Sequence, residues 1–419
     1  MTPLIHAFLK RIIRQGGLQV ERSCGARFTV GDGTGHLLAV RFADKSAERK
    51  LMLNPALALG ELFMDGGLVI TRGSVYDLLE LVSRNIKAMT PPPGLGKVHD
   101  RLRVALRPVH QRNTARRAKR NVEHHYDLDG RLYDLFLDTD RQYSCAYFEH
   151  ASQSLEDAQL AKKRHIAAKL LLEPGQRVLD IGSGWGGLAL YLAEWCGADV
   201  TGITLSQEQL ELARQRTAGR HLASHVQFRL QDYRAVAERF ERIVSVGMFE
   251  HVSVGYYGTF FRKVADLLAD DGVMLLHSIG RMDGPSATNA WIAKYIFPGG
   301  HASALSEVLP AIEDAGLVVT DIEILRLHYA ETLKAWRERF RARRDESTAL
   351  YDERFCRMWE FYLAACEVGF RYGGLMVFQI QLAKSQHTVP LTRDYIGVRE
   401  AELKAQEAGR SQPRMIAAE

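Results

Sequence analysis

Several features are missing from this chain, and each absence excludes something. No stretch approaches the roughly 18 uninterrupted apolar residues that a bilayer-crossing helix needs, so no membrane span is expected. The N-terminus carries no long apolar core followed by a small-residue cleavage site, which makes a cytoplasmic location the expectation. Cysteine is scarce. Cys24, Cys145, Cys196, Cys356 and Cys366 are odd in number and fall in no CxxC or metal-like spacing, so neither a disulfide framework nor a metal site is indicated. Acid is missing from one region: Lys97, Arg101, Arg103, Arg107, Arg112, Arg116, Arg117, Lys119 and Arg120 face Asp100 alone, and the net charge of +5 is unevenly spread. Such a run suits anionic lipid headgroups or bulk water. Nucleic acid is not the expected partner, because no stacking aromatics interleave with the charges.

What is present is organised around Arg177 to Gly187, RVLDIGSGWGG. Val178, Leu179 and Ile181 form a short apolar run of buried-strand type, and Gly182, Gly184 and Gly187 turn it into the helix LALYLAEW. Glycine lets the backbone take positive φ and lets a ligand approach the main chain and the helix N-terminus. The spacing also fits a dinucleotide fingerprint, which asks for an acid about 20 residues further on to hold a ribose hydroxyl. That acid is absent: the second strand, ADVTGIT, runs into Thr204-Leu-Ser-Gln-Glu-Gln209, a polar start to the next helix. Asp180, inside the first strand just ahead of the glycines, suits a cationic ligand better than a pyrophosphate. S-adenosylmethionine, with a sulfonium and an ammonium and no phosphate, meets that description.

With 419 residues the chain exceeds what one core usually serves, so two domains are expected. Leu4, Ile5, Phe8, Leu9, Ile12 and Ile13 recur at helical spacing opposite Lys10, Arg11 and Arg14, which describes either a membrane-surface helix or one packed on its own domain. Strand-like runs between residues 26 and 72 and the helix VYDLLELVSRNI complete a small α+β domain over residues 1–90. Pro91, Pro92, Pro93 and Gly94 open a basic linker, 91–120, ahead of a larger domain spanning 121–400 and a polar, frayed tail from 401 to 419. Tyr126, Tyr133, Phe136, Tyr143, Tyr147 and Phe148 crowd the start of the larger domain, as core or as a lid over the site. QFRLQDY, RIVSVG and VMLLH then read as strands ending in Asp232, in Glu250 shortly beyond, and in His277, where ligands collect on a doubly wound sheet.

Tyr143-Ser-Cys-Ala-Tyr147, VLDIGSGWGG, GITLSQEQ, RIVSVGMFEHV, LLHSIG and WIAKYIFPGG, in this order, resemble the cyclopropane fatty acyl phospholipid synthases, relatives of the mycolic acid methyltransferases. LGELFMDG extends the likeness into the first domain. Ser183 departs from it, standing where many relatives have cysteine. The resemblance implies an α/β fold, the Rossmann-like doubly wound sheet of class I S-adenosylmethionine-dependent methyltransferases, behind a smaller N-terminal α+β lipid-binding domain. It implies that Tyr143, Ser144, Asp180, Gly182 and Gly184 hold the methionine end of the cofactor, Thr204 and Gln209 the ribose, and Asp232 the adenine. It further implies a homodimer peripherally associated with the inner face of the membrane, acting on unsaturated phospholipid acyl chains at that surface.

The chemistry is demanding. An unactivated alkene attacking a sulfonium methyl leaves a carbocation, and a base must then take a proton from the new methyl so that the ring closes, away from water. In the resembling family that base is a bound bicarbonate ion, and the matching positions here are Cys145, Glu250, His277 and Tyr329 with the backbone of Ile279. Tyr295 and Phe297 are candidates for cation–π stabilisation. Cys366 matches a cysteine sometimes proposed as active in relatives and is expected to line the pocket. The dense apolar segment Leu350–Phe370 reads as a core helix or as the wall of an acyl tunnel. Two other outcomes stay open: a fatty acyl C-methyltransferase that stops at a methyl-branched or methylene product, and a non-catalytic lipid-binding protein with a methyltransferase shell.

Overall fold

The computed structural model describes residues 4–88, 129–218 and 222–411. The proline-glycine boundary, the basic run and Tyr126 lie outside them. In the N-terminal region, β1 (Gly17–Glu21), β2 (Arg27–Val30), β3 (Leu37–Phe42) and β4 (Leu68–Arg72) form one sheet in the order β2-β1-β3-β4. Helices Leu4–Ile12, Lys45–Leu53, Pro55–Met64 and Val75–Ala88 accompany it. The first helix packs on its own domain: Ile5, Leu9 and Ile13, each four residues apart, are buried with Leu18, Val20 and Val40 of the sheet. Asp44 caps the second helix by accepting from Ala47 N at 2.8 Å, and Pro55 opens the third, where its missing N–H costs nothing.

The second sheet holds β5 (Arg177–Ile181), β6 (Asp199–Thr204), β7 (Val226–Leu230), β8 (Phe240–Val246), β9 (Leu268–Arg281), β11 (Val318–Ile324) and β12 (Leu375–Ala383). Their order is β11-β12-β9-β8-β5-β6-β7, with the two-residue β10 (Ser303–Ala304) pairing beside β9. The pairs from β7 to β9 are parallel, whereas β12 runs antiparallel to both neighbours. The chain leaves β5 toward β6 and β7, then returns to place β8 on the other flank of β5. The carboxyl ends of β5 and β8 therefore border the crevice where a doubly wound sheet takes its ligand. Gly182 shows why the turn after β5 is built of glycine: φ is +88°, and a Cβ would stand 2.7 Å from Met248 Cβ.

One alternative is settled and one expectation changes. The tract from Tyr133 to Phe148 is packed wall: Tyr133 and Phe136 are fully buried against Trp185, Trp336 and Trp359. The frayed tail expected from residue 401 is instead the second half of the helix Asp394–Ser411. Ile396, Leu403 and Glu407 form one buried face of it, and Glu407 accepts from Arg164 Nη2 and Tyr191 Oη, each at 2.6 Å. Polar composition concealed a helix whose inward-facing Glu400 and Glu407 pair with His165 and Arg164.

Candidate active site

Two adjoining cavities meet at Tyr143, Ser144, Gly247 and His251, which line both. The smaller, of about 160 Å³, lies beyond the carboxyl ends of β5 and β6. All eight residues expected around the cofactor line it: Tyr143, Ser144, Asp180, Gly182, Gly184, Thr204, Gln209 and Asp232. Asp180 is buried and its Oδ2 has no partner among the described residues. Burial raises its pKa to about 7, against the attraction of Lys162. Thr204 Oγ1 donates to Gln209 Oε1 at 2.8 Å, and Asp232 is held by Arg234 at 2.6 Å. Tyr143 and Tyr362 join their hydroxyls at 2.8 Å.

The larger cavity, of about 750 Å³, collects Cys145, Glu250, His277, Ile279, Tyr329 and Cys366 on its wall. They come from separate elements. Glu250 sits in the single turn Phe249–His251 after β8, His277 and Ile279 on β9, Tyr329 in the helix His328–Ala342, and Cys366 in the helix Glu353–Tyr372. From this cluster the cavity runs between Phe361, Ala365 and Gly369 of that last helix and onward to Phe8, Leu9, Ile12, Leu59 and Val82 of the N-terminal domain. The helix expected as either core or tunnel wall is both: Trp359 and Leu363 are buried on one side while Ala365 and Cys366 face the cavity.

The electrostatics follow from burial. The Glu250 carboxyl is pushed up to about 7 by desolvation, which the Ile279 N–H, donating to Oε1 at 2.6 Å, only partly offsets. Its Oε2 has no partner among the described residues. Burial drives His277 down to about 3, so the imidazole is neutral, and its Nε2 likewise lacks a partner there. Both cysteine thiols are pushed up by burial, that of Cys366 to about 12. Cys366 is therefore a neutral thiol, which suits a wall and not a nucleophile.

The Ile279 amide, expected to hold a small anion, donates to Glu250 Oε1 at 2.6 Å in this structure, and one other expectation needs correction. Tyr295, expected near a developing cation, donates to Glu61 at 2.8 Å and is not among the residues lining the cavity, whereas Phe297 is. Sequence reasoning also missed Lys162, which lines the smaller cavity and donates to Gln142 Oε1 at 2.7 Å and Ser144 Oγ at 2.9 Å. Burial pulls its pKa down to about 8. The signal was there in LEDAQLAKKRHIAAK, a helix with no polar face to keep those charges in water.

Fold and site together define an enzyme of the class I methyltransferase type, as the sequence predicted. Residues 113–380 match the family model described as mycolic acid cyclopropane synthetase. The cyclopropane-fatty-acyl-phospholipid synthase of Escherichia coli K12 is 37% identical over 345 residues, which is 82% of this chain and 87% of that one. A probable fatty acid methyltransferase of Pseudomonas putida is 40% identical over 285 residues, 65% of this chain and 72% of that one. Among solved structures, the mycolic acid cyclopropane synthase CmaA1 complexed with SAH and CTAB superimposes with a TM-score of 0.60 at 34% identity, covering 63% of this chain and 97% of that one. The chain belongs to the mycolic acid cyclopropane synthetase family.

Proposed function

We propose that the protein converts cis-unsaturated acyl chains of phospholipids into cyclopropane acyl chains, with S-adenosylmethionine as methyl donor and a bound bicarbonate ion as the base. The observation that carries this reading is one cavity holding Cys145, Glu250, His277 and Tyr329 beside the smaller cavity and continuing into an apolar passage. Asp180, with an unpartnered buried oxygen, fits a cationic amino group, and Lys162 beside Ser144 fits a carboxylate. Those two residues match the two ends of an amino-acid zwitterion. S-adenosylmethionine, when bound, supplies an electrophilic methyl group.

In the larger cavity the unsatisfied His277 nitrogen and Glu250 oxygen fit a small oxyanion, provided Glu250 carries a proton, which its raised pKa allows near neutrality. His277 and the Glu250 Oε2 are shielded from water, which suits this route, since water would quench a carbocation before the ring closed. The passage toward Phe8 and Ile12 offers an acyl chain about 0.8 kcal/mol for each CH₂ it buries. Delivery of that chain from a membrane surface, with the protein peripherally bound as a homodimer, belongs to the same proposal.

A second reading is a fatty acyl C-methyltransferase giving a methyl-branched or methylene product, favoured by the name of the Pseudomonas putida relative. Purified protein incubated with S-adenosylmethionine and vesicles of a cis-monounsaturated phospholipid separates the two. The proposal expects ring protons in the NMR spectrum of the recovered acyl chains. A saturated methyl branch, distinguished by mass, or an exocyclic methylene, distinguished by NMR, would replace it with the second reading.

A further inference from the structure

His277 does not stand alone on its strand. In the registers of β9, β12 and β11, His277 lies opposite Gln379, and Gln379 lies opposite Glu323, so the three form one row across the sheet. The helix Leu155–Lys169 brings Lys169 to this row. Its Nζ donates to Gln379 Oε1 at 2.9 Å and also to Glu323 Oε2. Gln379 Nε2 lies 3.2 Å from His277 Nδ1. His165, one turn earlier in that helix, bridges Glu323 and Glu400 at 2.7 Å each. Lys169, Gln379 and His277 are all essentially inaccessible to water.

The donor and acceptor inventory leaves little freedom here. An ammonium only donates, so the side of Gln379 facing Lys169 must be its oxygen. The side facing His277 is then the amide NH₂, which also only donates. His277 Nδ1 must therefore accept and carry no proton. A neutral imidazole has one proton, and it must sit on Nε2, the nitrogen with no partner among the described residues in an imidazole that lines the larger cavity. Burial lowers the pKa of His277 to about 3, which rules out the doubly protonated ring near neutrality.

We infer that Lys169 and Gln379 are positioning residues that hold His277 as its Nε2–H tautomer, making it a fixed hydrogen-bond donor into the reaction cavity and not a proton acceptor. This rests on the proposed function for its catalytic meaning, though the tautomer follows from the polar row alone. A donor aimed at the cavity suits an anion bound there, so the row would supply the grip on the base while the base itself takes the proton. Two glutamines, Gln379 and Gln381, stand in the otherwise apolar strand LMVFQIQLA, and only the first faces His277.

The test is Gln379→Glu in the full-length protein, read by ¹⁵N NMR of histidine-labelled enzyme with the His277 signals assigned by loss in His277→Asn. The new carboxylate keeps Lys169 as its partner but turns from donor to acceptor toward Nδ1. In the wild type, Nε2 should show the protonated, pyrrole-type shift and Nδ1 the pyridine-type shift. In Gln379→Glu the two should exchange. Turnover should fall by on the order of a hundredfold, the loss expected for one preorganised donor, with S-adenosylhomocysteine affinity unchanged. A wild-type ring protonated on Nδ1 overturns the inference whether or not the variant folds. So does a variant that keeps the wild-type tautomer, or one whose tautomer exchanges with no loss of turnover. If the tautomers behave as stated but wild-type enzyme forms no cyclopropane, the functional proposal fails and the assignment of the row stands.

Discussion

Replacing Glu250 by glutamine should stabilise the protein at alkaline pH while abolishing ring formation. The carboxyl Oε2 is shielded from water, and desolvation raises the pKa from 4.5 to about 7. A rise of roughly two and a half pH units, at about 1.36 kcal/mol each, means the ionised form costs about 3 kcal/mol in the folded state. The sign follows from proton counting. Between the unfolded pKa and about 7 the native state retains a proton that the unfolded chain has released, so native stability falls as pH rises through this window and levels off above it. The Glu250→Gln side chain would carry no such dependence, yet its amide oxygen can still accept from Ile279 N as the Glu250 carboxyl does at 2.6 Å. The two proteins should melt together near pH 5 and diverge by about pH 8, with Glu250→Gln higher by several degrees, since about 1 kcal/mol corresponds to ~2–4 °C in Tm for a domain of this size. Asp180 titrates over the same range but is common to both, so it cancels in the difference. Scanning calorimetry across that range is the assay. A pH-independent gap, or a variant that becomes the less stable at high pH, would refute the claim that Glu250 is held at a desolvation cost.

Asp180 gives a binding counterpart. Because its pKa is about 7 and its ionised form is the one proposed to meet an ammonium, S-adenosylhomocysteine affinity should rise by about tenfold per pH unit up to neutrality and then level off. Isothermal titration of Asp180→Asn should show weak binding without that slope. Gly182→Ala should lose about 1–3 kcal/mol of stability in urea denaturation, because φ is +88° and the methyl would press on Met248 at 2.7 Å. Ala365→Trp projects bulk into the acyl passage. Displacing two or three methylenes at about 0.8 kcal/mol each should raise the KM for an 18-carbon chain by roughly thirtyfold and leave cofactor affinity alone.

Much of this architecture could be read from the chain because its signals are local. The glycines after Asp180 dictate a turn that a Cβ would obstruct at Met248, and Glu250 and His277 follow apolar runs that read as strands, the second of which continues past His277 to Arg281. The polar helix at the C-terminus could not be read the same way. Glu400 and Glu407 look solvated in sequence, and only the packing of that helix against Leu155–Lys169 supplies their partners His165 and Arg164. For Lys162 the helix LEDAQLAKKRHIAAK signalled burial, but not its partners Gln142 and Ser144, which lie 20 and 18 residues away. The row behind His277 is less legible still: the register of three strands far apart in the chain, β9, β11 and β12, brings it together. Tyr295 shows the converse error, an aromatic in a suggestive motif whose hydroxyl is committed to Glu61 of the other domain.

On the proposed route, a base held by the cluster of Cys145, Glu250, His277 and Tyr329, in the cavity adjoining that of the cofactor, removes the proton that closes the ring. Glu250→Ala and His277→Ala, each assayed for S-adenosylhomocysteine binding by calorimetry and for acyl products by gas chromatography, test it most directly. Cofactor binding near the wild-type level with cyclopropane formation lost in both is the predicted result. Wild-type ring formation in both would contradict it.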